Sequence, residues 1–76
     1  MNDRLKKLRQ SNNLTQKDIS KKLEISQSLY SKYENGNKTI PLYILSKLAR
    51  ILNTSIDYLI GDTNQIEPYP KKLFKS

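Results

Sequence analysis

The sequence contains no cysteine and no histidine, and its only glycines are Gly36 and Gly61. Without cysteine there can be no disulfide and no thiolate metal site, and without histidine the commonest metal ligand and the commonest general base are missing. Two isolated glycines cannot build a glycine-rich phosphate-binding loop. These absences exclude the usual enzyme chemistries, and because the carboxylates are scattered we expect neither a bound metal nor a cofactor.

Long apolar runs are also absent. The sequence has no stretch of about 18 apolar residues, and Met1 is followed by Asn-Asp-Arg rather than by the apolar segment of a secretory signal. With 76 residues and no repeat, the chain has the length of one small domain with one core. We therefore expect a cytoplasmic protein that does not contact a membrane.

Positive charge is abundant. The chain has fourteen lysines and arginines and seven aspartates and glutamates, which gives a net charge of +7. Such an excess on so short a chain favours a polyanionic partner, and nucleic acid is the first candidate. Charge alone fits a ribosome-associated or membrane-surface protein equally well, so the distinction has to come from the residue pattern.

Five helical segments with short connections are predicted over residues 2–61, so the predicted fold class is all-α. Thr15 and Asp18 have the spacing of a capping box at the start of the second helix. Ser26 is the N-cap of the third helix, and Asn35-Gly36 ends it. The turn between these two helices is too tight for them to lie antiparallel, which is the layout of a helix-turn-helix.

Pro41 is expected in the first turn of the fourth helix, where its missing N–H costs nothing, and Gly61 is expected to end the short fifth helix. Apolar residues at helical spacing define one core, to which we assign the helical tyrosines. The predicted core consists of Leu5, Leu8, Leu14, Ile19, Leu23, Ile25, Tyr30, Tyr33, Leu42, Leu45, Leu48, Leu52, Ile56 and Leu59.

The composition changes after Gly61. Pro68 and Pro70 exclude a regular helix between them, and the segment is basic. We therefore divide the chain into a helical domain, residues 1–61, and a C-terminal tail, residues 62–76. The tail carries more apolar side chains than a solvated extension needs, so it is expected to dock on the domain or on a second subunit through Ile66, Tyr69, Leu73 and Phe74.

Several motifs occur in order with the spacing of one known family. They are Leu14-Thr15-Gln16, Ile25-Ser26-Gln27-Ser28, Tyr33-Glu34-Asn35-Gly36, Ile40-Pro41-Leu42, Lys47-Leu48-Ala49 and Ile56-Asp57-Tyr58-Leu59-Ile60-Gly61. Through them, residues 2–61 resemble the Cro/phage-repressor class (XRE-type, lambda-repressor-like) of helix-turn-helix regulators. The resemblance implies a five-helix DNA-binding domain in a bacterial or phage-encoded protein. Ser20, Glu24 and Tyr30 depart from it, since the family usually has alanine, glycine and a branched aliphatic residue there.

Polar residues on the third helix are the predicted base contacts. The amide of Gln27 can pair with N6 and N7 of an adenine, and Ser28 can contact a base edge or a phosphate. Lys32 can reach guanine O6 and N7, whereas Ser31 shares the face of Gln27 but is short. A solvated surface would carry the same residue types; the resemblance favours base contact, because the family commonly touches bases at the position of Gln27.

The predicted phosphate contacts flank that helix. Gln16 lies in the first turn of the second helix, where free backbone N–H groups and a side-chain amide together bind a phosphate. The loop after the third helix is predicted to form the second phosphate clamp, through Asn35, Asn37, Lys38 and Thr39. The resemblance implies that Arg9 forms a structural ion pair with Glu34 rather than a phosphate contact.

The predicted function is sequence-specific binding of double-stranded DNA by a homodimer that reads a palindromic operator and represses transcription. The dimer interface is expected on Ile51, Ile56, Tyr58 and Ile60, with the tail extending it. One alternative is an antitoxin-like or partner-binding module that mainly autoregulates its own operon and binds a small protein through the apolar tail. Nonspecific coating of nucleic acid is disfavoured, because it needs exposed stacking aromatics and the helical tyrosines are assigned to the core.

Overall fold

A computed structural model describes residues 3–61 and residue 66. Its elements are α1 (Asp3–Ser11), α2 (Gln16–Leu23), α3 (Gln27–Glu34), α4 (Leu42–Ile51) and α5 (Ile56–Ile60). There is no strand in this part of the chain, which confirms the all-α class with five helices. None of the described helices is long and apolar enough to cross a bilayer.

Side-chain caps fix where α2 and α3 begin. The hydroxyl of Thr15 accepts a hydrogen bond from the N–H of Asp18 at 3.0 Å, and the Asp18 carboxylate accepts one from the N–H of Thr15 at 3.0 Å. At the next helix, the hydroxyl of Ser26 accepts from the N–H of Leu29 at 3.0 Å. These bonds satisfy N–H groups that no helical carbonyl reaches, so the predicted capping box and N-cap are confirmed.

The turn between α2 and α3 is made without a glycine. Glu24 has φ 60° and ψ 41°, in the left-handed region, which costs a residue with a Cβ roughly 1 kcal/mol. The N–H of Glu24 donates to the carbonyl of Lys21 at 3.1 Å, and the N–H of Ile25 donates to that of Ser20 at 3.0 Å. These two bonds close the turn and set the direction in which α3 leaves α2.

The helices enclose one core of leucine, isoleucine and tyrosine side chains. α2 packs on α3 and α4, α4 packs on α5, and α1 lies against α3 and α5. Most of the predicted core residues are buried, whereas Leu14, Ile25 and Ile56 are partly buried against that core. Because α3 is held from two sides, by α1 and α2, its remaining surface has a fixed orientation.

The prediction that Leu42 belongs to the core is wrong, since 70% of this side chain is exposed. α4 buries Ile44, Leu45 and Leu48, and at about 100° per residue Leu42 points roughly a quarter turn away from the centre of that face. Pro41 is the N-cap of α4 rather than a residue of its first turn.

Ile40 is buried although it was not predicted to be a core residue. It precedes the N-cap Pro41, and Leu45 occupies the fourth position of α4, so the two residues have the spacing of a hydrophobic staple. This local spacing could have predicted the burial of Ile40. The staple ties the loop after α3 to α4.

Tyr43 also departs from the prediction. The helical tyrosines were assigned to the core, yet 65% of Tyr43 is exposed, while Tyr30 and Tyr33 are buried. Within residues 3–61, Tyr43 is the one exposed aromatic side chain, and a stacking platform needs several rings for successive bases. For this part of the chain, nonspecific coating therefore remains disfavoured by the number of exposed rings rather than by their complete burial.

Candidate nucleic-acid interface

The two faces of α3 differ in chemistry. Tyr30 and Tyr33 anchor the helix in the core, with 0% and 4% of their surfaces exposed. Gln27, Ser28 and Lys32 are exposed on the other side. An amide, a hydroxyl and an ammonium group therefore project from a helix whose opposite face is packed in the core. Three of the four predicted base-contacting residues are thus on one accessible surface.

Ser31 and Asn35 are brought together by the structure. Ser31 is half-buried, and the amide nitrogen of Asn35 lies 3.5 Å from its hydroxyl oxygen. Ser31 is therefore less accessible than its neighbours on α3 and has a partner on the protein. Ser31 is therefore a weaker candidate for a base contact than Gln27 or Lys32.

The loop that follows α3 is wound onto the end of the helix. The N–H of Gly36, which has φ 80°, donates to the carbonyl of Tyr33 at 3.2 Å, and that of Asn37 donates to the carbonyl of Lys32 at 2.9 Å. The side chains of the predicted clamp are exposed along it, namely Asn35, Asn37, Lys38 and Thr39. The loop continues the polar surface of α3 beyond its C-terminal end.

Gln16 is half-buried at the start of α2, and its amide nitrogen donates to Oε1 of Glu34 at 3.0 Å. The contact joins the first residue of α2 to the last residue of α3. The backbone N–H groups of Gln16 and Lys17 have no acceptor in the described part of the chain. Amide nitrogen and backbone N–H groups are the donors with which a helix N-terminus holds a phosphate.

Glu34 accepts four hydrogen bonds from three other residues. Oε2 accepts from Nε of Arg9 and from the hydroxyl of Tyr30, both at 2.7 Å. Oε1 accepts from Nη2 of Arg9 and from the amide of Gln16, both at 3.0 Å. The remaining nitrogen of Arg9, Nη1, donates to the carbonyl of Leu14 at 2.8 Å. Arg9 is thus committed to the interior and ties α1 to α3.

These contacts set the acidity of the group. The Arg9 and Glu34 side chains are only 9% and 2% exposed. Burial is the largest single influence on the pKa of Glu34 and raises it, but hydrogen bonds from Arg9, Gln16 and Tyr30 together lower it below the usual value. Burial and the bond to Glu34 raise the pKa of Tyr30. Near neutral pH, Glu34 is therefore a carboxylate and Tyr30 a hydrogen-bond donor.

Sequence reasoning missed two of the bonds on Glu34. Tyr30 and Glu34 are four residues apart on α3 and so share a face, a spacing that could have revealed the hydroxyl's partner. The bond from Gln16 depends on how α2 crosses α3, and no local pattern indicates it. The helix that carries the exposed polar groups is therefore bonded to both of its neighbours through one carboxylate.

The residues predicted to form a dimer interface differ in accessibility. Ile51, Ile56 and Tyr58 are half-buried against the core, and the guanidinium of Arg4 lies 4.4 Å from the centre of the Tyr58 ring. Ile60 is the exposed member, at 45%. It lines an open groove of about 300 Å³, together with Gly36, Lys38, Thr39, Ile40 and Leu45.

Only one residue of the predicted tail lies within the described part of the chain. Ile66 is 44% exposed, and its carbonyl accepts a hydrogen bond from the hydroxyl of Thr54, in the turn between α4 and α5. Tyr69, Leu73 and Phe74 lie outside the described residues. Docking or dimerisation through them stays a prediction.

Comparison with known proteins agrees with this geometry. Residues 5–59 match the helix-turn-helix family model. The chain is 38% identical over 65 residues to the uncharacterized HTH-type transcriptional regulator YobD of Bacillus subtilis, a match that covers 86% of this chain and 58% of that protein. It is 36% identical over 64 residues to the uncharacterized HTH-type transcriptional regulator YqaE of the same organism, covering 83% and 55%.

A third relative is the HTH-type transcriptional regulator ImmR of Bacillus subtilis, 40% identical over 58 residues, which are 76% of this chain and 46% of that protein. The chain thus spans about half the length of the curated relatives it matches, 58%, 55% and 46%. No solved structure matches it.

Proposed function

Because the chain belongs to the XRE-type (Cro/phage-repressor) helix-turn-helix family, we propose that it binds double-stranded DNA sequence-specifically and represses transcription. The observation that carries the proposal is the exposed edge of α3, where Gln27, Ser28 and Lys32 project from a helix anchored by its opposite face. A helix with this division of faces fits the major groove, which alone distinguishes all four base pairs. Bacterial DNA lies in the cytoplasm, where we place this action.

In this proposal one set of groups contacts phosphates and a second set contacts bases. The start of α2, with Gln16, and the loop after α3, with Lys38, bind phosphates and fix the position of the domain on the duplex. Gln27, Ser28 and Lys32 then contact base edges. Phosphate contacts supply affinity for any sequence, whereas base contacts supply the preference for one.

Replacing Lys38 by alanine is expected to weaken binding to a preferred and to a random duplex by the same factor. The exposed ammonium neutralises one phosphate, so the slope of log K against log salt should fall by about 1. Titrations of both duplexes at several salt concentrations measure this. Lys7→Ala, which removes an exposed lysine of α1, is the control and should leave the slope close to that of the parent chain.

We place a two-fold dimer contact on Ile60 and the apolar lining of its groove, and leave the polar lining residues, Lys38 and Thr39, to the phosphates. The support is an exposed apolar side chain at the end of α5 beside Ile40 and Leu45, whose side chains line the same groove. One domain of this size reads only a few base pairs, and two-fold pairing multiplies specificity by adding a second half-site. An isologous contact of this kind would relate the two copies of α3 by a two-fold axis, which is the symmetry of a palindromic site.

Ile60→Lys is expected to weaken self-association about ten-fold or more, because it puts a charge into an apolar contact. Sedimentation equilibrium of the free protein measures the dimer dissociation constant. Tyr43→Lys is the matched control, since Tyr43 is also exposed on the helical domain but points away from the groove side of α4. Equal dissociation constants for the Ile60→Lys variant and the parent chain would exclude Ile60 from the dimer interface.

Selection of bound duplexes from a random pool tests the proposed function as a whole. We expect enrichment of a two-fold symmetric sequence whose half-sites are about 10 base pairs apart or a multiple of that distance. Enrichment of a single unsymmetrical half-site would contradict the dimer, and no enrichment at all would contradict sequence-specific binding. The selected site, placed over a reporter promoter, should lower expression when the protein is present. Binding of a small protein partner through the tail remains a separate prediction.

A further inference from the structure

The hydroxyl of Tyr30 is the least expected member of the cluster around Glu34. Tyr30 is completely buried, and its hydroxyl donates to Oε2 of Glu34 at 2.7 Å. The anchoring of α3 needs only the ring, since an apolar side chain of similar size would fill the same space. The hydroxyl therefore adds a polar contact, inside the core, to a carboxylate that Arg9 already neutralises.

We propose that Tyr30 is a positioning residue for DNA binding, which holds the Glu34 carboxylate so that Oε1 orients the amide of Gln16 toward a phosphate. The inference rests on the proposed contact between Gln16 and the DNA backbone. It assigns a function to a buried side chain that cannot touch DNA itself.

The orientation of the Glu34 carboxylate depends on the donors that hold its two oxygens. Oε2 is held by two short bonds, from Nε of Arg9 and from Tyr30, while Nη2 of Arg9 holds Oε1. Without the hydroxyl, the Arg9 fork would remain, but Oε2 would lose one of its two donors. The carboxylate group could then rotate more freely about its terminal torsion, which has a broad energy profile.

The orientation of the Gln16 amide depends in turn on the Glu34 carboxylate. Its nitrogen faces Oε1 of Glu34 at 3.0 Å. The amide oxygen is excluded from this position, because it would place two acceptors against each other. The nitrogen has two hydrogens, so one is used on Glu34 and one remains for a phosphate beside the free N–H groups of α2. A fixed carboxylate therefore fixes a phosphate donor before DNA arrives, which lowers the entropic cost of the contact.

The experiment is a double-mutant cycle between Tyr30→Phe and Gln16→Ala. The dissociation constant is measured for a duplex selected by the parent protein and for a random-sequence duplex, at a temperature where every variant is fully folded. We expect Tyr30→Phe to weaken binding to both duplexes about three- to ten-fold without changing the preference between them. In the Gln16→Ala background the same substitution should have no further effect, because the group that it positions is absent.

Tyr33→Phe is the matched control. It makes the same chemical change three residues along α3, at a buried ring whose hydroxyl does not bond to Glu34, and it should leave both affinities unchanged. The side-chain amide signals of Gln16 in a nitrogen–proton correlation spectrum, identified by their loss in Gln16→Ala, supply a second readout. They should shift in Tyr30→Phe and stay in place in Tyr33→Phe.

The two proposals fail in different ways. If Gln16→Ala binds both duplexes as well as the parent does, the phosphate contact of Gln16 is wrong and the positioning inference fails with it. If Gln16→Ala weakens binding but Tyr30→Phe has the same effect in both backgrounds, the phosphate contact stands and the positioning inference alone is overturned. Unmoved Gln16 amide signals in Tyr30→Phe would overturn it as well.

Discussion

Replacing Arg9 by alanine is expected to lower the free energy of unfolding by about 3 to 5 kcal/mol. In the parent chain only 2% of the Glu34 side chain is exposed, and Arg9→Ala removes the one cation bonded to it among the described residues. Gln16 and Tyr30 still donate to the carboxylate, yet two neutral donors do not replace the bidentate, charged guanidinium of Arg9. The loss also frees the carbonyl of Leu14, to which Arg9 donates at 2.8 Å.

The size of the domain makes this loss decisive. A domain of this length without disulfide or metal retains roughly 3 to 5 kcal/mol of net stability. The loss about equals the net stability, so we expect about half of the Arg9→Ala molecules or more to be unfolded near room temperature. Urea titration followed by far-UV circular dichroism measures this. Arg50→Ala, at an exposed arginine of α4, is the control and should change the free energy of unfolding by less than about 0.5 kcal/mol. An Arg9→Ala variant that unfolds at the same urea concentration as the parent chain would contradict this structural role.

Most of the fold follows from local signals in the sequence. Thr15 with Asp18, and Ser26 before α3, are caps that work within four residues, so the starts of both helices could be predicted. The ends at Gly36 and Gly61 follow from the positive φ that each of these turns requires, 80° and 91°.

The errors arise where local pattern and global packing separate. Leu42 has the residue type and nearly the spacing of a core position, but it lies at the edge of the buried face of α4. Ile40 looks like part of a loop, yet it is buried because it packs as the staple of the next helix. The packing of α4 decides the exposure of Leu42, whereas the burial of Ile40 follows from a local spacing that helical periodicity alone does not contain.

The candidate site divides in the same way. The exposure of Gln27, Ser28 and Lys32 could be predicted, because the two tyrosines define the opposite face of the same helix. The bond between Gln16 and Glu34 could not, since it joins residues 18 positions apart whose proximity exists only once α2 and α3 are packed. In our proposal, the phosphate contact of Gln16 and the anchoring of α3 therefore depend on one carboxylate, a coupling that becomes visible only in the folded chain.

Replacing Gln27 by alanine is expected to lower the affinity for the selected duplex by about 1 to 3 kcal/mol, or roughly 5- to 150-fold. Gln27 is the exposed first residue of α3, directly after the cap at Ser26. Its amide can offer a donor and an acceptor together to one adenine, and losing both leaves that base without its partner. Alanine is a better helix former than glutamine, so the fold should keep its stability.

The pattern of the loss identifies the kind of contact. If Gln27 reads a base, the variant should bind a random duplex as well as the parent chain does, and selection from a random pool should return a site that is relaxed at one base pair of each half-site. If Gln27 contacts a phosphate instead, its loss should weaken binding to both duplexes alike and leave the selected sequence unchanged. Gln10→Ala, at an exposed glutamine of α1, is the matched control and should alter neither quantity. A Gln27→Ala protein that selects the same sequence as its parent would remove Gln27 from the base-reading set, and specificity would then have to come from Ser28 and Lys32.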